Sequence, residues 1–232
     1  MTVGIMRLGV VTGLASEAAC LCVLPAGGRP AVRCAGASSG RAAEIARALV
    51  AEGCGALLSF GMAGGLAPGL GAGSVVLAEE IVAPGGRRLP TDPDWREGLR
   101  RTVAAEMEVS QGSIAASPQA VATPAEKQAL HASSGAVAVD MESHAVAEAA
   151  DDQAVPFLAV RVIADPAIRR IPAWTLGCVG EDGAVSPVKA MGGLMFRPWD
   201  VVTLLQLSAD AGDALINLRR VATLAGPRFG LG

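Results

Sequence analysis

Short runs of consecutive apolar residues, closed by a glycine or an acid, alternate along this chain with stretches whose apolar positions recur at helical spacing. Residues 7–12 (RLGVVT) form the first run, and a helical stretch from about Ser16 follows the turn at Gly13. Residues 32–35 read as a second short strand. Residues 41–52 then place Ala42, Ile45, Ala46 and Leu49 on one helical face before Gly53 stops them. Residues 56–60 (ALLSF) predict a buried strand opening into a glycine turn, GMAGGL, and residues 74–81 predict another strand. Polar, proline-bearing sequence at 89–94 reads as a loop before a helix over 95–107. Residues 112–116 predict a strand, and 124–132 a helix with proline in its first turn. The compact run 136–139 (AVAV) leads through Asp140, Met141 and Glu142 into a helix over 145–150. Residues 157–164 (FLAVRVIA) give the strongest strand reading in the chain, stopped by Asp165 and Pro166.

Continuous rather than alternating apolar runs belong to strands covered on both faces, so the pattern predicts an α/β fold. No stretch reads as a linker, and residues 1–232 are expected to form one domain. Within it, prolines and glycines (Pro172, Gly177, Gly180, Gly183, Pro187, Gly192, Gly193) break residues 166–198 into loops and short helices. Residues 199–225 then close the chain as a long amphipathic helix carrying Val201, Leu204, Leu205, Leu215 and Leu218.

Composition narrows the function. A net charge of -3 and a pI near 5.5 leave no clustered cation surplus to neutralise phosphates, so nucleic acid is not an expected partner. Aromatics are 3% of the chain and Tyr is absent, which also leaves few platforms for stacking bases. Cys20, Cys22, Cys34, Cys54 and Cys178 are odd in number and lack paired spacing, so they read as reduced core residues. With only His131 and His144 beside them, no metal and no cofactor is expected. Glu17 interrupts the first apolar stretch and only Arg7 precedes it, a poor secretory signal, and no run approaches a membrane span. A cytoplasmic protein is expected, although the mean hydropathy of +0.43 is high for one.

In α/β sheets ligands bind beyond the carboxyl ends of strands, and four strand ends here deliver usable groups. Glu17 follows the first strand, the GMAGG backbone with Ala63 and Gly64 follows ALLSF, Glu142 follows AVAV, and Asp165 ends FLAVRVIA. The pattern predicts that three carboxylates and a glycine turn meet in one cleft. Each acid taken alone also fits a helix cap or a solvated turn, and Asp140 fits a cap for the helix after it. The glycine turn is neither a Walker loop nor a G-x-G-x-x-G fingerprint, and there is no G-x-S-x-G elbow. Acid and base work by carboxylates is the chemistry left.

GLASE at 13–17, GMAGGLAPGLGAGSVVLAEEIV at 61–82, VDMES at 139–143 and VRVIAD at 160–165 occur in an order that resembles the methylthioadenosine and adenosylhomocysteine nucleosidases and their phosphorylase relatives. The resemblance implies a three-layer α/β/α sandwich with a central mixed, partly barrel-like sheet. It also implies that Asp165 supports protonation of purine N7, that Glu142 holds the ribose hydroxyls, and that Glu17 activates the attacking water. Met141 would pack against the sugar, and backbone near Ala120 and Val121 would face the base. A homodimer or higher homo-oligomer is the assembly expected here. Burial of Asp165 beside Glu142 would raise its pKa far enough for it to donate.

Water is favoured over phosphate as the nucleophile, because TGLASE supplies no arginine and Phe60 precedes GMAGG. Ser38, Ser39 and Arg41 are the candidate phosphate group should phosphate be a co-substrate, and Arg161 reads equally as a paired structural charge. Residues 166–196 carry Ile171, Trp174, Leu176, Met191, Leu194, Met195 and Phe196. With their ADPAIRRIP start and the following RPWD, they resemble the hopanoid-associated phosphorylases. That resemblance implies release of adenine from the lipid-linked nucleoside adenosylhopane. Burying about 400 Å² of a polycyclic lipid would supply at most about 10 kcal/mol before association costs. The same residues also fit a dimer interface, ordinary core, or a lid in peripheral contact with the inner membrane. A nucleosidase for methylthioadenosine or adenosylhomocysteine, and a nucleoside-binding module without catalysis, are the alternatives.

Overall fold

The computed structural model describes residues 6–178, 180, 183–184, 186, 192–193 and 196–232. Eight strands form one mixed sheet: β1 (Arg7–Thr12), β2 (Ala31–Cys34), β3 (Cys54–Gly65), β4 (Val75–Val82), β5 (Arg88–Pro90), β6 (Val109–Ala116), β7 (Ala138–Asp140) and β8 (Phe157–Asp165). Five of them close on themselves. β3 pairs β7, β7 pairs β6, β6 pairs β4, β4 pairs β8, and β8 returns to β3, leaving β1 and β2 outside on β3 and β5 outside on β4. Closure removes the exposed backbone of an open sheet and bends the strands round a small barrel.

The helices are α1 (Ala15–Cys20), α2 (Ser39–Ala51), α3 (Pro93–Ala104), α4 (Pro124–Ser134), α5 (Ser143–Asp152) and α6 (Val201–Ala225). Their starts follow local chemistry. Ser38 and Asp92 accept the Arg41 and Trp95 N–H groups at the heads of α2 and α3. Thr123 and Glu126 form a reciprocal capping box on α4, ahead of Pro124, and Gly135 ends that helix in a left-handed conformation. α2 and α5 bury Ala42, Ala46, Leu49, Val146 and Ala149 on one side of the sheet. α3 and α6 bury Leu99, Val103, Leu218 and Val221, with Leu21 just beyond α1, on the other. The result is the expected three-layer α/β/α arrangement with a barrel-like sheet at its centre.

Two expectations are corrected. GMAGG is not a turn: β3 runs straight through it to Gly65, because both its edges are paired, Gly64 lying opposite Val139 of β7 and Asp165 of β8. The segment at 89–94 contains β5, a three-residue strand held antiparallel on β4. The expected irregular character of the segment after Pro166 holds in its described part, where short 3-10 turns occupy Ala173–Cys178 and Pro198–Asp200. Pro187, Met191, Leu194, Met195 and the side chain of Leu176 lie outside the described residues.

Candidate active site

A cavity of about 230 Å³ opens at the carboxyl ends of β1, β3 and β8, where β7 meets them. Glu17, Glu142 and Asp165 all line it, as do Ala63, Gly64, Ala120, Val121 and Met141. Sheet register explains the convergence. Gly64 stands between Val139 and Asp165, so the last residues of β8 and the VDMES turn are brought to the same level of β3.

Glu17 arrives from α1. Its Oε2 accepts the Gly13 and Leu14 N–H groups at 2.9 and 2.8 Å, and its Oε1 accepts the Met62 N–H from β3 at 2.7 Å. The carboxylate lies flat on Gly61, where an added Cβ would come within 2.7 Å of it. That contact is the reason β3 carries a glycine there. Burial pushes the Glu17 carboxyl above its ordinary value, against the three N–H donors and the charge of Arg161, which pull it down.

Glu142 begins α5 with its carboxylate against Gly13, so it shares a corner of the cavity with the Glu17 turn. Its pKa is pushed up to about 8, by burial first and then by the charge of Asp140, with Arg161 opposing and Glu17 adding. Asp140 points elsewhere. The N-cap position of α5 is held by Glu142 rather than by Asp140; Asp140 accepts the Ser143 N–H at 3.3 Å and forms an ion pair with Arg161 at 2.6 Å in which both side chains are 2% exposed. Arg161 also donates to Ser59 at 2.7 Å and to Ser143 at 2.8 Å. It is a paired structural charge whose guanidinium is spent within the sheet.

Asp165 ends β8 with Oδ2 3.0 Å from where a Cβ on Gly64 would stand. The charge beside it is not Glu142, which corrects the sequence expectation. Lys127, reaching from α4 with its side chain 0% exposed, places Nζ 2.5 Å from Asp165 Oδ2. Burial pushes the Asp165 carboxyl up, while Lys127 pulls it down by charge and hydrogen bond and Asp210 adds a smaller upward push. Lys127 was not legible as a site residue. It is the one buried residue of α4, a helix whose exposed composition advertises no inward face.

Ser38, Ser39 and Arg41 stand apart from the cavity wall, at the head of α2, where Ser38 serves as cap. Among the described residues no lysine or arginine lines the cavity. The arrangement is therefore acidic and cation-poor at its surface, with the Lys127–Asp165 ion pair at one end and the Glu17 and Glu142 carboxyls at the other.

A family model described as the phosphorylase superfamily matches residues 21–175, more than half of the chain. No curated protein matches. Among solved structures, the 5'-methylthioadenosine/S-adenosylhomocysteine nucleosidase from Neisseria meningitidis, in complex with methylthio-immucillin-A, superposes with a TM-score of 0.70 at 18% identity, covering 94% of this chain and 98% of that one. The futalosine hydrolase of Helicobacter pylori gives 0.69 at 16% identity over 94% and 98%. The S-adenosylhomocysteine nucleosidase from Streptococcus pyogenes, in complex with 5-methylthiotubericidin, gives 0.65 at 22% identity over 72% and 87%. At such identities the likeness is one of fold.

Proposed function

As the chain belongs to the phosphorylase superfamily, we propose that it splits the N-glycosidic bond of an adenosine-type nucleoside, releasing adenine. The observation that carries this reading is that Glu17, Glu142 and Asp165, far apart in sequence, line a single cavity. Breaking a C–N bond to ribose leaves cationic character on the sugar and electrons on the departing purine. Carboxylates beside the sugar offset the first, and a proton donor at N7 offsets the second. Glu142, with Met141 beneath the sugar, takes the ribose hydroxyls. Asp165 meets N7, and Ala120 and Val121 border the base.

Water is the nucleophile in this reading. The backbone N–H groups of Gly13, Leu14 and Met62, which would otherwise cradle phosphate oxygens, are occupied by Glu17. A phosphate dianion would face Glu17 and Glu142 with no lysine or arginine of the described cavity wall to balance it. Product analysis tests this. Free ribose, at a rate indifferent to added phosphate, is expected, and a ribose 1-phosphate product dependent on phosphate would reverse the assignment and bring Ser38, Ser39 and Arg41 back into question.

For the substrate, the lipid-linked nucleoside adenosylhopane is the reading we favour. Ile171 lines the cavity, and its segment is tied along α6 by Arg169, which bonds Asp210 at 2.6 Å and Gln206 at 2.6 Å. Ile168, Phe196, Trp199, Val202 and Leu205, in the same stretch of chain and the start of α6, expose their apolar side chains. A polycyclic lipid, or peripheral contact with the membrane that holds it, would use that surface, whereas a methylthio group would not. No helix among the described residues is long and apolar enough to cross a membrane. The second reading is a nucleosidase for methylthioadenosine or adenosylhomocysteine, which two of the structural neighbours are named for. Adenine release from lipid-linked and thioether adenosines, compared side by side, separates them: the favoured reading fails when the soluble thioethers turn over far faster.

A further inference from the structure

Lys127 is an unusual residue to bury. Its ammonium donates to Asp165 Oδ2 at 2.5 Å, to the Asp165 carbonyl at 2.9 Å and to the Pro166 carbonyl at 2.9 Å, so all three of its protons are used. The capping box and Pro124 fix the start of α4, and with it the height at which Lys127 enters. Among the described residues, the other charged group acting on Asp165 is Asp210 of α6, which is itself paired with Arg169 at 2.6 Å. Lys127 and Asp165 thus form a direct ion pair between α4 and the end of β8. Lys127 stays off the cavity wall while Asp165 lies on it.

Resting on the reading above, we propose that Lys127 is a positioning residue that also holds the proton destined for the purine, passing it through Asp165. An ammonium this close to a carboxylate keeps the pair ionic in the resting protein, so Asp165 has no proton of its own to give. As the C1'–N9 bond breaks, its electron pair moves into the base and N7 takes a proton from Asp165. Asp165 takes one from Lys127 Nζ in the same movement, leaving a neutral amine and a carboxylate. The attacking water gives its proton to Glu17. The cycle closes when Glu17 releases that proton to solvent and Lys127 regains one.

The proton that reaches the purine comes from an ammonium in this relay, whereas a leaving group that needs no proton draws on neither Lys127 nor Asp165. Two measurements follow, both of kcat/KM against pH. In the unaltered protein, adenine release is expected to decline on the alkaline side as the relay loses its proton. A riboside whose leaving group is 4-nitrophenolate, which departs without a proton, is expected to show no such decline. In Lys127→Met, the optimum for adenine release is expected to move at least about two units to acid and its peak to fall about tenfold or more. Lys127→Arg keeps the charge but cannot give up a proton, so it is not expected to rescue turnover.

An unchanged optimum in Lys127→Met, or rescue by Lys127→Arg, would overturn the relay and leave only a structural pair. Should Lys127→Met fail to fold, matching alkaline limbs for the two substrates in the unaltered protein would overturn it as well. Absence of adenine release by the unaltered protein at every pH is a different failure, that of the functional reading itself.

Discussion

Glu142→Gln should make the protein more stable while removing its activity, and the gain should grow with pH. The unfolded chain holds Glu142 at an ordinary pKa of 4.5, and the folded protein raises it to about 8. A carboxyl whose folded pKa is raised carries no penalty below pH 4.5. Between those two values the folded state binds a proton that the unfolded state has released, so stability is lost as pH climbs and levels off above about 8. Working the two pKa values through the linkage relation gives a cost of about 1 kcal/mol at pH 5, about 3 at pH 7 and about 5 at pH 9. Gln has nearly the same volume and nothing to ionise, so it avoids that cost. Urea unfolding of both proteins at the three pH values measures the difference directly. The same group sets an ascending limb for the unaltered enzyme, in which kcat/KM rises about tenfold per pH unit until about pH 8, as Glu142 becomes a charged acceptor for the ribose hydroxyls. A stability difference that stays flat from pH 5 to 9 would refute the reasoning, since it would mean the carboxyl ionises as easily inside the protein as outside.

Other substitutions probe other parts of the site. Arg161→Met leaves Asp140 charged, buried and without its guanidinium, and should lower unfolding stability by about 3–5 kcal/mol in the same urea assay, with a loss under about 1 counting against the pair. Asp165→Asn should remove adenine release about a hundredfold or more with thermal unfolding little changed, because the proton path ends there; near-normal turnover would dismiss that role. Gly61→Ala inserts a methyl within 2.7 Å of the Glu17 carboxylate and should drive it off the Met62 N–H, seen as a fall in kcat larger than any change in KM. An unaffected kcat would mean that Glu17 does not act from this position.

Some of this was legible from residue order and some was not, for physical reasons. Phe157–Asp165 and Val201–Ala225 are long enough, and apolar enough in the right period, to announce themselves. The three acids were found because each closes or closely follows an apolar run, and strand ends in such sheets gather at one edge. GMAGG misled because glycine usually marks a turn, whereas here Gly61 and Gly64 stay in the strand to make room for Glu17 and Asp165. β5 is three residues long and carries Pro90, too little to signal pairing. Lys127 was hidden most completely: a lysine near the start of a helix, well away in sequence from any strand end, reads as solvated, and only the fold brings the end of β8 to it. The neighbour that sets the acidity of Asp165 is therefore a tertiary fact.

The central claim is that three separated acids serve one sugar and one departing base. Its most direct measurement is the rate of free adenine release from an adenosine substrate by the unaltered protein and by Glu17→Gln, Glu142→Gln and Asp165→Asn, each folded at the temperature of assay. Release by the unaltered protein and a loss of about a hundredfold or more in each variant is expected. Full activity in any one of the three, or no adenine from the unaltered protein, would contradict it.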